Sequence, residues 1–187
     1  MPKLALLLAG LVLLSPSLRG QEQKTTREEY AATVVATGGG AGTKSIMIDF
    51  RIDRYATEEE VAGLAQIVRE KGTDGLRSAL EKLEVGRINP VAGTGNSIAV
   101  ARKRKEGANT IITMVTARNM TFLEQYMGTR TKDYPFAYLR VQLNEKGEGS
   151  GKLLAAARIK FDQKKGHYEI ESYGNQYVRV INVRPWK

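Results

Sequence analysis

The chain has 187 residues, of which 42% are hydrophobic and 26% charged, with a formal net charge of +9, one histidine and no cysteine. That is one domain's worth of chain, long enough to bury a core without staples. The missing cysteines exclude a disulfide framework and thiol chemistry, and with a single histidine a zinc site would have to be built mostly from carboxylates, an unusual donor set.

Residues 1–20 read as a signal peptide. Lys3 supplies the positive start, Leu4 to Leu14 the apolar stretch, and Ser15-Pro16-Ser17 the small residues before a cut after Ser17 or Gly20. The apolar run is too short to span a bilayer comfortably, no cysteine follows it for lipid attachment, and no later run suits a membrane helix. The expected location is therefore periplasmic or secreted. Loss of Lys3 and Arg19 leaves 27 basic and 20 acidic residues, a mature charge near +7. Residues 21–28 are polar and patternless, a loose tail, and 29–187 form a single domain.

Tyr30 to Ala36 is the first predicted strand. The following TGGGAGTKS (residues 37–45) superficially resembles a phosphate loop, but Thr43 stands where its second glycine belongs, and a strand rather than a helix follows. No nucleotide is expected. In the second strand Ile46, Ile48, Phe50 and Ile52 alternate with Met47, Asp49, Arg51 and Asp53, one buried face and one wet face. Thr57 with Glu60 forms a capping box. Val61, Leu64, Ala65 and Val68 then fall on one stripe, Gly72 is a left-handed stop, and Leu76, Ala79, Leu80 and Leu83 repeat the spacing as a second helix. The pair is expected to cover the Ile46–Ile52 face of the sheet or the open end of a barrel.

Strands are predicted at Val85–Ile88 and, as a hairpin, at Ser97–Arg104 and Thr110–Ala117. Asn119–Gly128 is read as one short helix. Ala137, Leu139, Val141 and Leu143 alternate with Tyr138, Arg140 and Gln142; Leu153, Ala155, Ala157, Ile159 and Phe161 share one face of the returning strand. Tyr168–Tyr173 and Tyr177–Val183 read as a closing hairpin across Gly174-Asn175. The fold class is α+β: a mostly antiparallel curved sheet or partly closed barrel, with a helix pair inserted after the second strand.

The segments REKGTDGLRSALEKL (69–83), Tyr134-Pro135-Phe136, LNEKGEGSGKLLAAARI (143–159) and IESYGNQYVRVINVR (170–184) resemble a family of short exported bacterial proteins with no assigned activity. The resemblance implies a shared exported domain and transfers no catalytic residue.

Candidate chemistry is sparse. His167 sits at a turn among lysines, with no Gly-x-Ser-x-Gly elbow to pair with it. Asp49 and Asp53 are the best acid–base pair, but four residues of strand separate their Cα atoms by about 13 Å, and with Arg51 between them such a row is more often a cross-strand charge ladder. The run Arg102-Lys103-Arg104-Lys105 makes a local positive field without interleaved aromatics, and Tyr138 with Arg140 shares a polar face. These six residues are the candidate binding set. The leading expectation is an exported non-catalytic domain that binds a small ligand or an envelope partner, without a cofactor. The alternatives are a carboxylate-based hydrolase on the polar face of strand 2 and electrostatic attachment to anionic envelope polymers. A deep apolar cavity under the helices would favour a small-molecule binder.

Overall fold

The computed structural model describes residues 27–37, 42–120, 132–175 and 177–186. Among these, nine strands and one α-helix follow in the order β1 (Glu28–Thr37), β2 (Thr43–Ile52), α1 (Glu58–Leu80), β3 (Gly86–Pro90), β4 (Asn96–Glu106), β5 (Asn109–Thr116), β6 (Phe136–Leu143), β7 (Gly149–Asp162), β8 (His167–Ser172) and β9 (Val178–Pro185). The predicted signal peptide, most of the tail, and residues 121–128 of the predicted Asn119–Gly128 helix lie outside the described residues.

The strands run β6-β5-β4-β3-β2-β1-β9-β7, and β7 pairs back onto β6. The sheet is thus a closed, antiparallel eight-stranded barrel rather than a partly closed one, with β8 paired outside it on the far half of β7. Eight strands leave an interior just wide enough for side chains to fill. Here Val34, Ile48, Phe50, Ile52, Ile88, Ile98, Ile112, Leu139, Val141 and Val180 fill it, with Tyr30 stacked on Phe50 at 5.0 Å. Each fully buried side chain of this size contributes about 1.5–3 kcal/mol of transfer free energy. The wet side of the alternation carries Arg51, Arg87 and Arg179. An apolar interior with charges outside is the inverse of a porin-type wall. No helix among the described residues is long and apolar enough to cross a membrane.

Further expectations are corrected. The two predicted helices form one helix, kinked at Gly72, whose φ of 65° and ψ of −159° are non-helical. The kink presses Lys71 onto Gly75, where an added Cβ would lie 2.3 Å from the Lys71 Cβ. The capping box at Thr57 and Glu60 is present. Nor does the helix cover the Ile46–Ile52 face: Ile48, Phe50 and Ile52 point into the barrel, and α1 packs on the outside of the wall, where Val68, Leu76 and Leu80 meet Ala99, Phe136 and Ala157. Sequence spacing cannot distinguish a sheet that is covered by a helix from one that covers itself by closing.

The last two strands are not a hairpin. β8 and β9 both run antiparallel to β7, with Ser172 opposite Ala157 and Val178 opposite Leu153. They follow one another along the same edge of β7, separated by a single 3₁₀ turn at Tyr173–Asn175. Gly174, with φ of 65° and ψ of 16°, bends the chain without reversing it.

Strand β7 also changes face. Its register against β6 shifts between Phe136 and Tyr138, and the extra residue flips the alternation. Leu153 and Ala155 therefore face the barrel interior, whereas Ala157, Ile159 and Phe161 join the cluster beneath α1.

Closure depends on how closely β7 approaches β6. A Cβ on Gly149 would stand 1.8 Å from the Gln142 carbonyl oxygen, and one on Gly151 would stand 2.3 Å from that of Arg140. Gly149→Val is expected to lower unfolding free energy by about 2–3 kcal/mol, since neither clash involves a side chain that can swing away. Urea denaturation followed by far-UV circular dichroism measures it; wild-type stability in this variant would mean that the two strands can part without cost.

Candidate functional site

The first half of α1 stands off the barrel and leaves a groove. Only Val68 in this half is buried, while Val61, Leu64 and Ala65 are partly exposed. The second half is seated by Leu76 and Leu80. The space between has a volume of about 450 Å³. Val61, Leu64 and Ala65 form its roof, Val100, Ile111, Val115 and Tyr138 its floor on β4, β5 and β6, and Ile159, Tyr168 and Ile170 its far wall on β7 and β8. This size and apolar lining suit a small-molecule site.

The far wall is tied to the roof. The Tyr168 hydroxyl donates to the Ala65 carbonyl at 2.9 Å, and the Arg69 guanidinium lies 4.8 Å above the Phe161 ring, itself packed on Tyr168. At the kink, the Thr73 hydroxyl donates to the Ile159 carbonyl at 3.1 Å. The near end is held by Ala56 N–H donating to Ala101 at 2.8 Å, and by the Arg54–Glu60 pair at 2.8 Å.

The charged residues among the groove's lining are Arg102, Arg104 and Arg140. A bulge in β4, where the register against β5 shifts between Ile98 and Val100, sets which cations face it. Arg102 and Arg104 turn to the groove, and Lys103 turns to the other side. Arg102, Thr113 and Arg140 are cross-strand neighbours in one row. Glu58 pairs with Arg102 at 2.6 Å, and Glu106 pairs with Arg104 and, at 3.5 Å, with Arg140. The Glu58 side chain is 80% exposed, so its ion pair holds weakly.

Four of the six sequence-predicted binding residues thus meet here: Arg102, Arg104, Tyr138 and Arg140. Lys105 is exposed near the hairpin tip opposite Thr110 and is not among the lining residues. Lys103 belongs to a different cluster. Its Nζ donates to one Glu28 oxygen at 2.6 Å, while the Tyr30 and Tyr55 hydroxyls donate to the other at 2.8 and 2.6 Å. Burial pushes the Glu28 carboxyl up, but the bonds from Lys103, Tyr55 and Tyr30 outweigh it and hold the pKa below its ordinary value. Burial first, and then the Glu28 charge, raise both phenols well above theirs. Ionised Glu28 beside two neutral phenols and an ammonium is a satisfied clasp joining β1, β4 and the segment leading into α1, and it opens on neither described cavity.

Asp49 accepts from the Asn89 amide at 2.9 Å, and Asp53 pairs with Arg51 at 2.9 Å; neither lines the groove. His167 stands exposed with Glu169 at 3.3 Å. A wider hollow over β1, β2 and β9 is lined by Met47, Val91 and Trp186, with Glu148, Asn182 and Arg184 at it. Among the described residues no cluster of acidic or histidine side chains is placed to hold a metal. Compared with protein-family models, curated proteins and solved structures, the chain finds no match.

Sequence reasoning missed Glu28, Tyr30 and Tyr55 as a cluster, and Tyr168 and Ile170 as a wall. Glu28 opens β1 and is not part of the expected tail. The available signal for the wall was a tyrosine-rich strand with apolar residues but no interior left to face.

The clasp makes a pH prediction. A carboxylate with a depressed native pKa stabilises the fold above its ordinary value near 4.5, and that contribution disappears as pH falls through the native pKa. Phenols with raised native pKa values stabilise below about pH 10, and their contribution declines as pH rises beyond it. Glu28→Gln is expected to cost about 1–2 kcal/mol at neutral pH and to flatten the acid side of the stability profile. Denaturant midpoints between pH 3 and 7 check both; an unchanged acid slope would place the pH sensitivity elsewhere.

Proposed function

We propose that this is an exported, non-catalytic domain that binds a small apolar ligand in the groove between α1 and the outer wall of the barrel. The observation that carries the reading is the unfilled space of about 450 Å³ under Val61, Leu64 and Ala65. The barrel interior, by contrast, packs its apolar residues against each other, as protein interiors do. An apolar hollow kept open by latches at Ala65, Thr73 and Ala56 is suited to being filled by something else.

The other readings have less support. Asp49 and Asp53 are engaged by Asn89 and Arg51, on a part of β2 that does not border the groove. The basic run is not a bare positive patch, because Arg102, Lys103 and Arg104 each have a carboxylate partner.

The uncharged, environment-sensitive dye Nile red tests this. Wild-type protein is expected to bind it saturably, one dye per chain, with blue-shifted emission. Ala65→Trp places an indole in the groove and should weaken dye binding at least ten-fold while the thermal midpoint stays the same or rises. Dye that fails to bind the wild type, or that binds the tryptophan variant equally well, would exclude the groove.

A further inference from the structure

The groove is not only apolar. Its described lining contains three arginines and no carboxylate, and the arginines gather at the end nearest the β4–β5 hairpin. Two of them, Arg102 and Arg140, flank Thr113 in a single cross-strand row. Neighbouring strands lie about 4.8 Å apart, so the two Cα atoms are about 10 Å apart, with a hydroxyl between them. Two guanidiniums at that separation can close on one head group from either side, and Thr113 lies beneath it. Guanidinium recognises carboxylate through paired N–H donors, a geometry that a lysine ammonium cannot offer.

The counter-charges already present set the valence. Among the described residues, three guanidiniums face two carboxylates, Glu58 and Glu106, an excess of one positive charge.

Resting on the groove as the binding site, we propose that its ligand is a single-chain amphipath with a monoanionic carboxylate head, held by Arg102 and Arg140 over Thr113, with its apolar chain running under Val61, Leu64 and Ala65. A neutral ligand would leave the arginines unused, and a dianionic head would exceed the one uncompensated charge.

Displacement of Nile red tests this with three competitors of equal chain length: dodecanoate, dodecanol and dodecyl phosphate. Wild-type protein is expected to release the dye at concentrations of dodecanoate about ten-fold lower than of dodecanol. In the double variant Arg102→Gln/Arg140→Gln that ratio should fall to near one. A double variant of equal charge change outside the groove, Lys105→Gln/Lys164→Gln, should keep it. Equal displacement by acid and alcohol in the wild type, or a preference that survives loss of both arginines, overturns the head-group assignment and leaves the groove standing. Stronger displacement by dodecyl phosphate than by dodecanoate overturns the monocarboxylate choice. A wild-type protein that does not bind Nile red overturns the groove itself, and the head group with it.

Discussion

Strand β7 is the constraint on which the rest depends. It is 14 residues long, whereas β6 beside it has eight. Its first half closes the barrel by pairing β6 on one side and β9 on the other. Its second half runs past the barrel with β8 as its partner. The bulge between these halves turns Ala157, Ile159 and Phe161 outward. Those side chains need cover, and α1 gives it. A β7 that ended with β6 would leave a barrel with no far wall for the groove and nothing for the kink of α1 to bind.

The groove follows from how unevenly the helix is held. Leu76 and Leu80 are almost fully buried and seat the second half through apolar contact. The first half, where Val68 alone is buried, is held besides by directional ties: Tyr168 to Ala65, Arg54 to Glu60, and Ala56 to Ala101. Polar ties of this partly exposed kind contribute about 0.5–1.5 kcal/mol each. They fix the distance of the helix from the wall without drawing it in. Gly72 separates the two halves and lets each take its own angle.

Much of the fold was legible because a half-buried strand must alternate. Ile48, Phe50 and Ile52, and later Leu139, Val141 and Leu143, all take the inner face that period two assigns. The start of α1 was equally plain, because Thr57 and Glu60 satisfy each other locally. What alternation could not reveal is where it breaks. A bulge adds one residue without any change of composition, so Ala157, Ile159 and Phe161 looked continuous with Leu153 and Ala155. The order of strands around the barrel is likewise a long-range fact, and it made β8 and β9 successive partners of β7 rather than partners of each other. The groove was half visible: its arginines and Tyr138 stood out as an unusual polar face, whereas Val61 and Leu64 look like any core stripe until the wall beneath them is known.

The same break in alternation decides the chemistry of the rim. Residues 102–105 alternate Arg, Lys, Arg, Lys, so one face of β4 carries forked, planar guanidiniums and the other carries point-like ammoniums. The bulge before Val100 puts Arg102 beside Thr113 with Arg104 on the same face, and sends Lys103 to Glu28. Were the same residues to run through with unbroken alternation, the faces would exchange. Lysines would then border the groove, and an arginine would meet the phenol-bound carboxylate. An ammonium suits Glu28, because one of its oxygens is already occupied by Tyr30 and Tyr55 and only a single acceptor remains. A guanidinium suits an open site where both oxygens of an incoming carboxylate are free. The backbone irregularity therefore gives each cation the partner that its shape fits, and it does so with a sequence whose composition alone describes only a positive patch.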